Sequence, residues 1–233
     1  MKRFLPFLII LAVAVAGAVG GMVIYNAKRF ELANLPRPPV APGMTEAPGA
    51  KPPHLRGPNR GAEVVLEEFG DFQCPPCGLI APIMEKIEHD YASKLIVVYR
   101  QFPLPMHQHA LKAATVAEAA AAQGKFWEMH KLLYDKQDDW AEAGDVDSIF
   151  ESYAKQIGLA LDGYRTDLNA PATAARIEAD QERGKSLGVI STPTVFLNDE
   201  RIPFTELTET GLRRAIDAAL AGTKPIFPPP QAQ

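Results

Sequence analysis

The sequence predicts an α/β protein in which a strand–helix–strand unit is followed by a helical insertion, a hairpin and a last helix. Apolar residues on both faces of segments 63–69 and 95–102 are typical of strands buried inside a sheet. A parallel pair of strands joined through a helix forms a βαβ unit. Almost all of segment 106–187 has helical periodicity, so we expect a helical subdomain inserted over about residues 104–187.

The helices are expected where apolar residues recur at helical spacing. The first one covers about residues 77–91, and its apolar face packs against the sheet. Within the insertion, two of the periodic stretches stop at Gly124 and Gly158, as helices commonly do. The apolar residues of the first helix are Ile80, Ile83, Met84 and Ile87.

The sheet resumes near the end of the chain. Segment 194–197 reads as a strand, turns through residues 198–200 and is predicted to pair with segment 201–204. The last helix is expected over about residues 206–221, with its apolar residues directed inward.

The two cysteines of the chain stand at the start of the first helix, as Cys74-Pro75-Pro76-Cys77. A helix N-terminus offers unpaired N–H groups and a partial positive charge, which stabilise a thiolate. We therefore expect a redox pair in which Cys74 is the exposed nucleophile and Cys77 the buried resolving thiol. A structural pair or half of a zinc site is the alternative, but zinc needs four ligands and no second pair supplies them.

Composition excludes some other classes of function. The chain has 233 residues, 47% of them hydrophobic, and a net charge of −4 without a dense basic cluster, so nucleic acid is not an expected partner. His107 and His109 could flank a metal ion, although a helix start explains them as well. His130 is interpreted as a packed helix residue and not as a ligand. No metal is predicted.

The two ends of the chain are expected to lie outside the folded domain. Residues 1–27 contain an uncharged apolar run long enough for the roughly 30 Å membrane core, so they form a transmembrane anchor or a cleaved signal peptide. Residues 28–60 are rich in proline and are predicted to be a linker, and residues 223–233 a flexible tail. The domain is then expected at residues 61–222, outside the cytoplasm, where a disulfide is stable.

Taken jointly, four motifs resemble the DsbA-like thiol-disulfide oxidoreductases, which have a thioredoxin fold. The resemblance covers about residues 60–222. Its motifs are Phe69-Gly70-Asp71-Phe72-Gln73-Cys74-Pro75-Pro76-Cys77, Tyr99-Arg100-Gln101-Phe102-Pro103-Leu104, Phe126-Trp127-Glu128-Met129-His130 and Gly188-Val189-Ile190-Ser191-Thr192-Pro193-Thr194-Val195.

The resemblance implies roles for particular residues. Pro193 is expected to be a cis-proline facing the dithiol, and Thr192 before it to contact a bound peptide beside Pro75 and Pro76. Glu68 matches an acid buried beneath the resolving cysteine, where its pKa is expected to rise and it relays the Cys77 proton. Alternatively, the neighbouring acid points inward, or both acids reach water.

The resemblance also implies partners and a location. No cofactor is expected other than the Cys74–Cys77 disulfide. Substrates would be unfolded or cysteine-containing exported proteins, a membrane redox protein would reset the dithiol, and the location would be the bacterial periplasm, tethered to the inner membrane. Oxidation of substrates is the preferred direction, but Pro76 stands where DsbA-type oxidants usually have histidine, so a reductase or isomerase stays open. A copper-binding chaperone is the alternative of another class.

Overall fold

The computed structural model describes residues 54–58 and 62–227. The five strands are β1 His54–Arg56, β2 Val64–Gly70, β3 Leu95–Gln101, β4 Thr194–Leu197 and β5 Glu200–Arg201. The helices are α1 Pro75–Asp90, α2 Ala110–Ala122, α3 Phe126–Asp135, α4 Gln137–Trp140, α5 Val146–Gln156, α6 Leu161–Leu168, α7 Pro171–Ser186 and α8 Glu209–Leu220, with a 3₁₀ turn at Phe204–Glu206.

The strands form one sheet in the order β1-β3-β2-β4-β5. β2 and β3 are parallel and are joined through α1, whereas every other neighbouring pair is antiparallel. Helices α2 to α7 lie between β3 and β4 in the chain. The predicted α/β thioredoxin fold with a helical insertion is therefore confirmed.

Helices cover both faces of the sheet. Leu66 of β2 faces one layer, in which residues of α1 and α8 join the same apolar cluster. Phe69 faces the other layer and packs with Phe102 and Phe196. A third cluster joins the insertion helices to the underside of Cys74 and Cys77. Because side chains alternate along a strand, β2 places neighbouring residues in different layers.

The linker prediction is wrong for three of its residues. His54–Arg56, inside the segment 28–60, form strand β1, which pairs antiparallel with β3 from His54↔Tyr99 to Arg56↔Val97. His54 is buried and its Nε2 lies 2.7 Å from Glu118 of α2. So short a strand among prolines has no periodicity of its own, and its partner lies more than forty residues away in the sequence.

The last hairpin is shorter than predicted. β5 ends at Arg201, because Pro203 has no N–H to donate and the chain enters a 3₁₀ turn at Phe204–Glu206. The last helix begins at Glu209 and not near residue 206, since the Thr208 side chain caps it by accepting from Gly211 N at 3.1 Å.

Within the described residues, no helix combines the length and apolarity required to cross a membrane. The predicted anchor or signal peptide at residues 1–27 lies outside the described residues, as does most of the linker.

Candidate active site

The cysteine pair sits where β2 passes into α1. Cys74 is the N-cap residue of α1, and Pro75 and Pro76 occupy its first two positions. Proline is favourable there because the first helical N–H groups have no intrahelical partner. Cys77 is therefore the first residue of the helix with an N–H, which donates to Cys74 O at 3.0 Å. The prolines define the helix start and leave that single amide next to the nucleophile.

The pKa values of the two thiols differ more than their solvent exposure does. We expected Cys74 to be exposed, but it is only 4% accessible, against 0% for Cys77. A hydrogen bond from the Cys77 thiol lowers the pKa of Cys74 to about 6, against the effect of burial, with further help from Thr192 and the Cys77 amide. Burial raises the pKa of Cys77 well above its usual value. Cys74 is thus the group that ionises first.

Thr192 and Pro193 cover Cys74, which is the reason for its low exposure. The Thr192–Pro193 peptide bond is cis. Cys74 Sγ lies 3.3 Å from the carbonyl oxygen of Thr192, to which the protonated thiol donates. The Thr192 side chain also lowers the pKa of Cys74, although its buried hydroxyl has no hydrogen-bond partner among the described residues. Thr192 therefore contacts the thiol through its carbonyl and favours the thiolate through its side chain.

Glu68 lies beneath the dithiol, as predicted from its position in the sequence. The carboxyl is buried on the layer of the sheet that contains α1, and its Oε1 has no hydrogen-bond partner among the described residues. Burial, and then the charge of Cys74, raise its pKa to about 8. The Glu68 charge in turn helps to raise the pKa of Cys77. The carboxyl is therefore protonated at neutral pH and electrostatically linked to both sulfurs.

Glu67 is buried too, in the opposite layer. Arg183 Nε and Arg100 Nε each donate to Glu67 Oε1 at 2.8 Å. Burial alone would raise the pKa of this carboxyl, but the two arginines hold it below its usual value. Neither acid reaches water, so both alternatives considered for the strand are wrong. The neighbouring acids differ because Glu67 has cationic partners, whereas Glu68 has none in the part of the chain that the structure describes.

Sequence reasoning missed a buried aspartate beside the nucleophile. Asp71 Oδ1 accepts from Gln73 N at 2.8 Å, and Oδ2 accepts from Leu104 N at 2.9 Å. His107 Nδ1 lies 2.7 Å from the same Oδ2. Asp71 therefore ties the loop before Cys74 to the chain after β3. The two segments lie about thirty residues apart, so no local signal indicates the contact.

The insertion holds the same loop from the other side. Gln137 Nε2 donates to Phe72 O at 2.6 Å and to Cys74 O at 3.0 Å. Gln73 Nε2 donates to Ala141 O at 2.7 Å, and its Oε1 accepts from His109 N. These hydrogen bonds hold the loop through its backbone carbonyl groups and the Gln73 side chain, in addition to the contacts of the cysteine side chains.

Pro75 is exposed and Pro76 is partly exposed beside the buried sulfurs. The exposed apolar side chains include Met106, two residues beyond Leu104, and Ile190, two residues before Thr192. Both segments lead into residues that contact the active-site loop. Apolar surface is therefore available on the segments flanking the dithiol.

A family model described as thioredoxin matches residues 51–218. This chain belongs to the thioredoxin family. The match begins before β1, in agreement with the strand found inside the predicted linker.

Curated relatives carry a similar segment within a longer protein. The chain is 41% identical over 149 residues to the Na(+)/H(+) antiporter NhaA 3 of Salinispora tropica, covering 64% of this chain and 22% of that one. It is 32% identical over 199 residues to the Na(+)/H(+) antiporter NhaA 1 of Mycolicibacterium vanbaalenii, covering 82% of this chain and 30% of that one. The thioredoxin-family chain thus spans less than a third of their length.

Solved structures with a similar fold include a thiol-disulfide exchange protein of the DsbA type and BdbD. BdbD from Bacillus subtilis has a TM-score of 0.64 at 23% identity, covering 78% of this chain and 97% of that one. The thiol-disulfide exchange protein α-DsbA2 from Wolbachia pipientis has a TM-score of 0.57 at 20% identity, covering 68% and 85%. The resemblance to DsbA-like proteins is therefore confirmed at the level of the fold.

Proposed function

We propose that this thioredoxin-family protein is an exported thiol-disulfide oxidoreductase that forms disulfides in cysteine-containing proteins. One observation carries the proposal: two cysteines at a helix start have oppositely shifted pKa values and face a cis-proline loop. A low pKa is typical of attacking and leaving thiols in exchange reactions, whereas a raised one is typical of a thiol held in reserve. The disulfide itself acts as the cofactor.

The oxidising reaction would proceed in two exchange steps. A substrate thiolate attacks Cys74 Sγ, the Cys74–Cys77 bond breaks, and Cys77 leaves as a thiolate that takes the proton of Glu68. The second substrate thiol, once deprotonated, attacks the mixed disulfide, forms the substrate disulfide and releases Cys74 as a thiolate. The substrate thiols lose two electrons, which reduce the protein disulfide to a dithiol. A membrane redox partner would reoxidise this dithiol.

Protonation favours this direction over the reverse. In the oxidised protein Cys74 has no charge, but burial, the larger cause, still raises the Glu68 pKa and favours its protonated form. It is thus ready to donate when Cys77 leaves as a thiolate. In a reductase the same carboxyl must accept a proton from Cys77, and only its minor ionised form can do so. The Cys74 thiolate also stabilises the reduced protein, which makes the disulfide more oxidising.

The reduction potential tests the direction. A Cys74 pKa of about 6 lies between the values of about 7 for thioredoxin and about 3.5 for DsbA. We expect a potential between about −270 and −120 mV, measured by equilibration with glutathione. A potential at the thioredoxin end of this range would instead support a reductase.

Substrate binding is proposed at the exposed side of the dithiol. Thr192 and Pro193 cover Cys74, and Pro75 and Pro76 are at least partly exposed beside it. Exposed apolar side chains on the flanking segments suit an unfolded protein, whose apolar residues are accessible.

Export and tethering rest on the sequence of residues 1–27. If the apolar run is an anchor, the protein stays in the membrane pellet after an alkaline carbonate wash and retains its N-terminal sequence. A soluble periplasmic form that begins near Gly17 or Val19 would show a cleaved signal peptide instead.

Two serine variants test the assignment of nucleophile and resolving thiol. Cys74→Ser abolishes turnover of a dithiol substrate, because the residue that ionises first is lost. Cys77→Ser still reacts and accumulates mixed disulfides through Cys74, which mass spectrometry identifies. Adducts through position 77 formed in comparable yield by Cys74→Ser would reverse the assignment.

No observation favours the metal-chaperone alternative. Within residues 54–58 and 62–227, no three side chains of Cys, His, Asp or Glu cluster in a way that could hold a metal ion. Metal content of the purified reduced protein provides the direct test.

A further inference from the structure

A small cavity lies between the sheet, α1 and α3, and two buried polar atoms lie on its walls. Its volume is about 40 Å³, and Glu68 and His130 both line it. Glu68 Oε1 and His130 Nε2 are buried without a hydrogen-bond partner among the described residues. A single water needs roughly 10–15 Å³ measured in this way and at least two polar partners. The cavity therefore has the size and the polar groups to hold a short chain of water molecules.

The cavity leads from the dithiol layer toward charged residues at the protein surface. Arg56 NH1 donates to Glu88 at 2.9 Å, which joins β1 to α1. Lys131 donates to Glu85 at 2.9 Å, which joins α3 to α1. These partly exposed ion pairs lie at the outer end, while Glu68 lies at the inner end. A proton that left Glu68 through the cavity would emerge between the two pairs.

His130 reaches from the cavity to the surface. The residue as a whole is partly exposed, although its Nε2 is buried. Its ring stands edge-on to Tyr99, with centroids 4.6 Å apart, and Tyr99 is paired with Glu68 across the sheet. Packing among aromatic rings holds the imidazole in one orientation. A neutral imidazole can take a proton on one nitrogen and release one from the other.

The charges around His130 keep it neutral. Burial lowers its pKa well below the usual value, and the positive charges of Arg56 and Lys131 lower it further. The neutral ring has one nitrogen that can accept a proton and one that can donate it. The titratable or charged groups that face Glu68 and His130 are Cys74 and Cys77 at the dithiol, Tyr99 on β3, Tyr134 on α3, His54 and Arg56 on β1, Glu85 and Glu88 on α1, and Lys131 and Asp135 on α3.

We propose that Glu68, water in this cavity and His130 form the route by which the proton exchanged with Cys77 travels to and from solvent. The inference rests on the proposed function and adds the path to it. When Cys77 leaves as a thiolate, it takes the Glu68 proton, and the carboxylate regains one from solvent through the water and His130. When Cys77 attacks, the proton moves outward along the same groups. His130 acts through Glu68 and touches neither sulfur.

Reaction of the reduced protein with dithiobis(nitrobenzoate) separates the steps. Cys74 thiolate attacks the reagent, forms a mixed disulfide and releases one thionitrobenzoate. Cys77 then gives its proton to Glu68, attacks Cys74 Sγ and releases the second. The first phase depends on reagent concentration and the second does not. A wild-type protein without a first phase would refute the proposed function itself, whereas the inference concerns only the second phase.

His130→Phe keeps an aromatic ring in the cluster and removes both nitrogens. We expect its second phase to slow by about ten-fold while the first is unchanged, since a group acting at second remove contributes less than the roughly 10²-fold of a direct acid or base. In wild type the second phase rises with pH as Glu68 ionises, and burial places that rise above the usual range of a carboxyl pKa. His130→Phe should lower the plateau of that profile and keep its midpoint.

Chemical rescue separates proton transfer from packing. His130→Ala opens space for an imidazole molecule, so imidazole in the buffer should restore most of its second-phase rate. The matched control is Leu132→Ala, a buried residue of the same helix, which should be less stable but insensitive to imidazole. A second phase of wild-type rate in both His130 variants overturns the proposal. So does a slowing that Leu132→Ala reproduces and imidazole does not relieve.

Discussion

Two adjacent glutamates show how the surroundings of a side chain determine its chemistry. Glu67 and Glu68 have the same side chain and similar burial, but their pKa values shift in opposite directions. Glu67 faces two arginines, whereas Glu68 faces a cavity and a thiolate. Successive side chains of the strand point to opposite layers, so a shift of one residue in register would exchange the surroundings of Glu67 and Glu68.

Glu68→Gln is expected to stabilise the protein at alkaline pH. The folded carboxyl has a pKa of about 8, far above its value in the unfolded chain near 4.5, so stability falls as pH rises from about 4.5 to 8. The slope approaches 1.4 kcal/mol per pH unit. Urea unfolding of the reduced variant should match reduced wild type near pH 4 and exceed it at pH 8 by roughly 3–5 kcal/mol. A difference independent of pH would contradict the raised pKa.

Thr192→Val is expected to raise the pKa of Cys74, because it removes a hydroxyl that lowers this pKa. A less stable thiolate makes the reduced protein less stable, so the potential becomes more negative, by about 30 mV for a change of 1.4 kcal/mol. Thiolate absorbance against pH and glutathione equilibration measure the two shifts. Thr194→Val is the matched control, since its hydroxyl donates to Ser191 O at 2.8 Å. Equal shifts of the Cys74 pKa and of the potential in both variants would show that the Thr192 hydroxyl has no specific effect on Cys74.

Local signals in the sequence identify part of this site and not the rest. Cys74 and Cys77 stand out as a thiol pair at a helix start, whereas Glu68 and Pro193 are assigned through the resemblance to DsbA-like proteins. The burial of Cys74 was not predicted, since the loop that covers it is over a hundred residues away. The contacts of Asp71 are equally non-local. Sequence spacing indicates which groups react, whereas contacts between segments distant in the sequence determine the solvent exposure of those groups.

At the scale of elements, α7 packs against the sheet through charged side chains. The residues it buries include Asp180 and Arg183, and Arg100 NH1 of β3 donates to Asp180 at 2.9 Å. The Arg100–Asp180 pair joins residues 80 positions apart in the sequence, so the helix alone does not indicate its docking partner. Paired charges position α7 against the sheet, together with the buried apolar residue Ile177.

Glu67→Gln tests that docking. The substitution leaves two buried guanidinium groups short of a carboxylate, and breaking a buried pair in this way costs about 3–5 kcal/mol. We expect urea unfolding to show a loss of this size, with the Cys74 pKa unchanged because Glu67 lies in the opposite layer. Glu63→Gln is the matched control, since its pair with Lys94 at 3.4 Å is half exposed and should contribute less than about 1 kcal/mol. Equal losses would mean that the network does not hold α7.

At the scale of the whole molecule, the folded unit includes β1, which the sequence assigned to the linker. The His54 ring stacks on Phe126 of α3, with centroids 3.4 Å apart, and its Nε2 lies 2.7 Å from Glu118 of α2. Arg56 bonds to Glu88 and covers the ring of Trp127 at 4.1 Å. A three-residue strand thus connects the sheet to α1, α2 and α3.

Two shortened chains test this boundary. A chain that begins at residue 51 retains β1 and should unfold at the same urea concentration as the full protein. A chain that begins at residue 62 lacks β1 and the contacts of His54 and Arg56 with α1 and α2, so we expect it to unfold at a lower urea concentration than the longer chain. The dithiol contacts no residue of β1, so the first phase with dithiobis(nitrobenzoate) should survive in both. The second phase should change only in the shorter chain, because Arg56 lines the outer end of the cavity. Equal stability of the two shortened chains would show that His54–Arg56 do not stabilise the folded domain and belong to the linker.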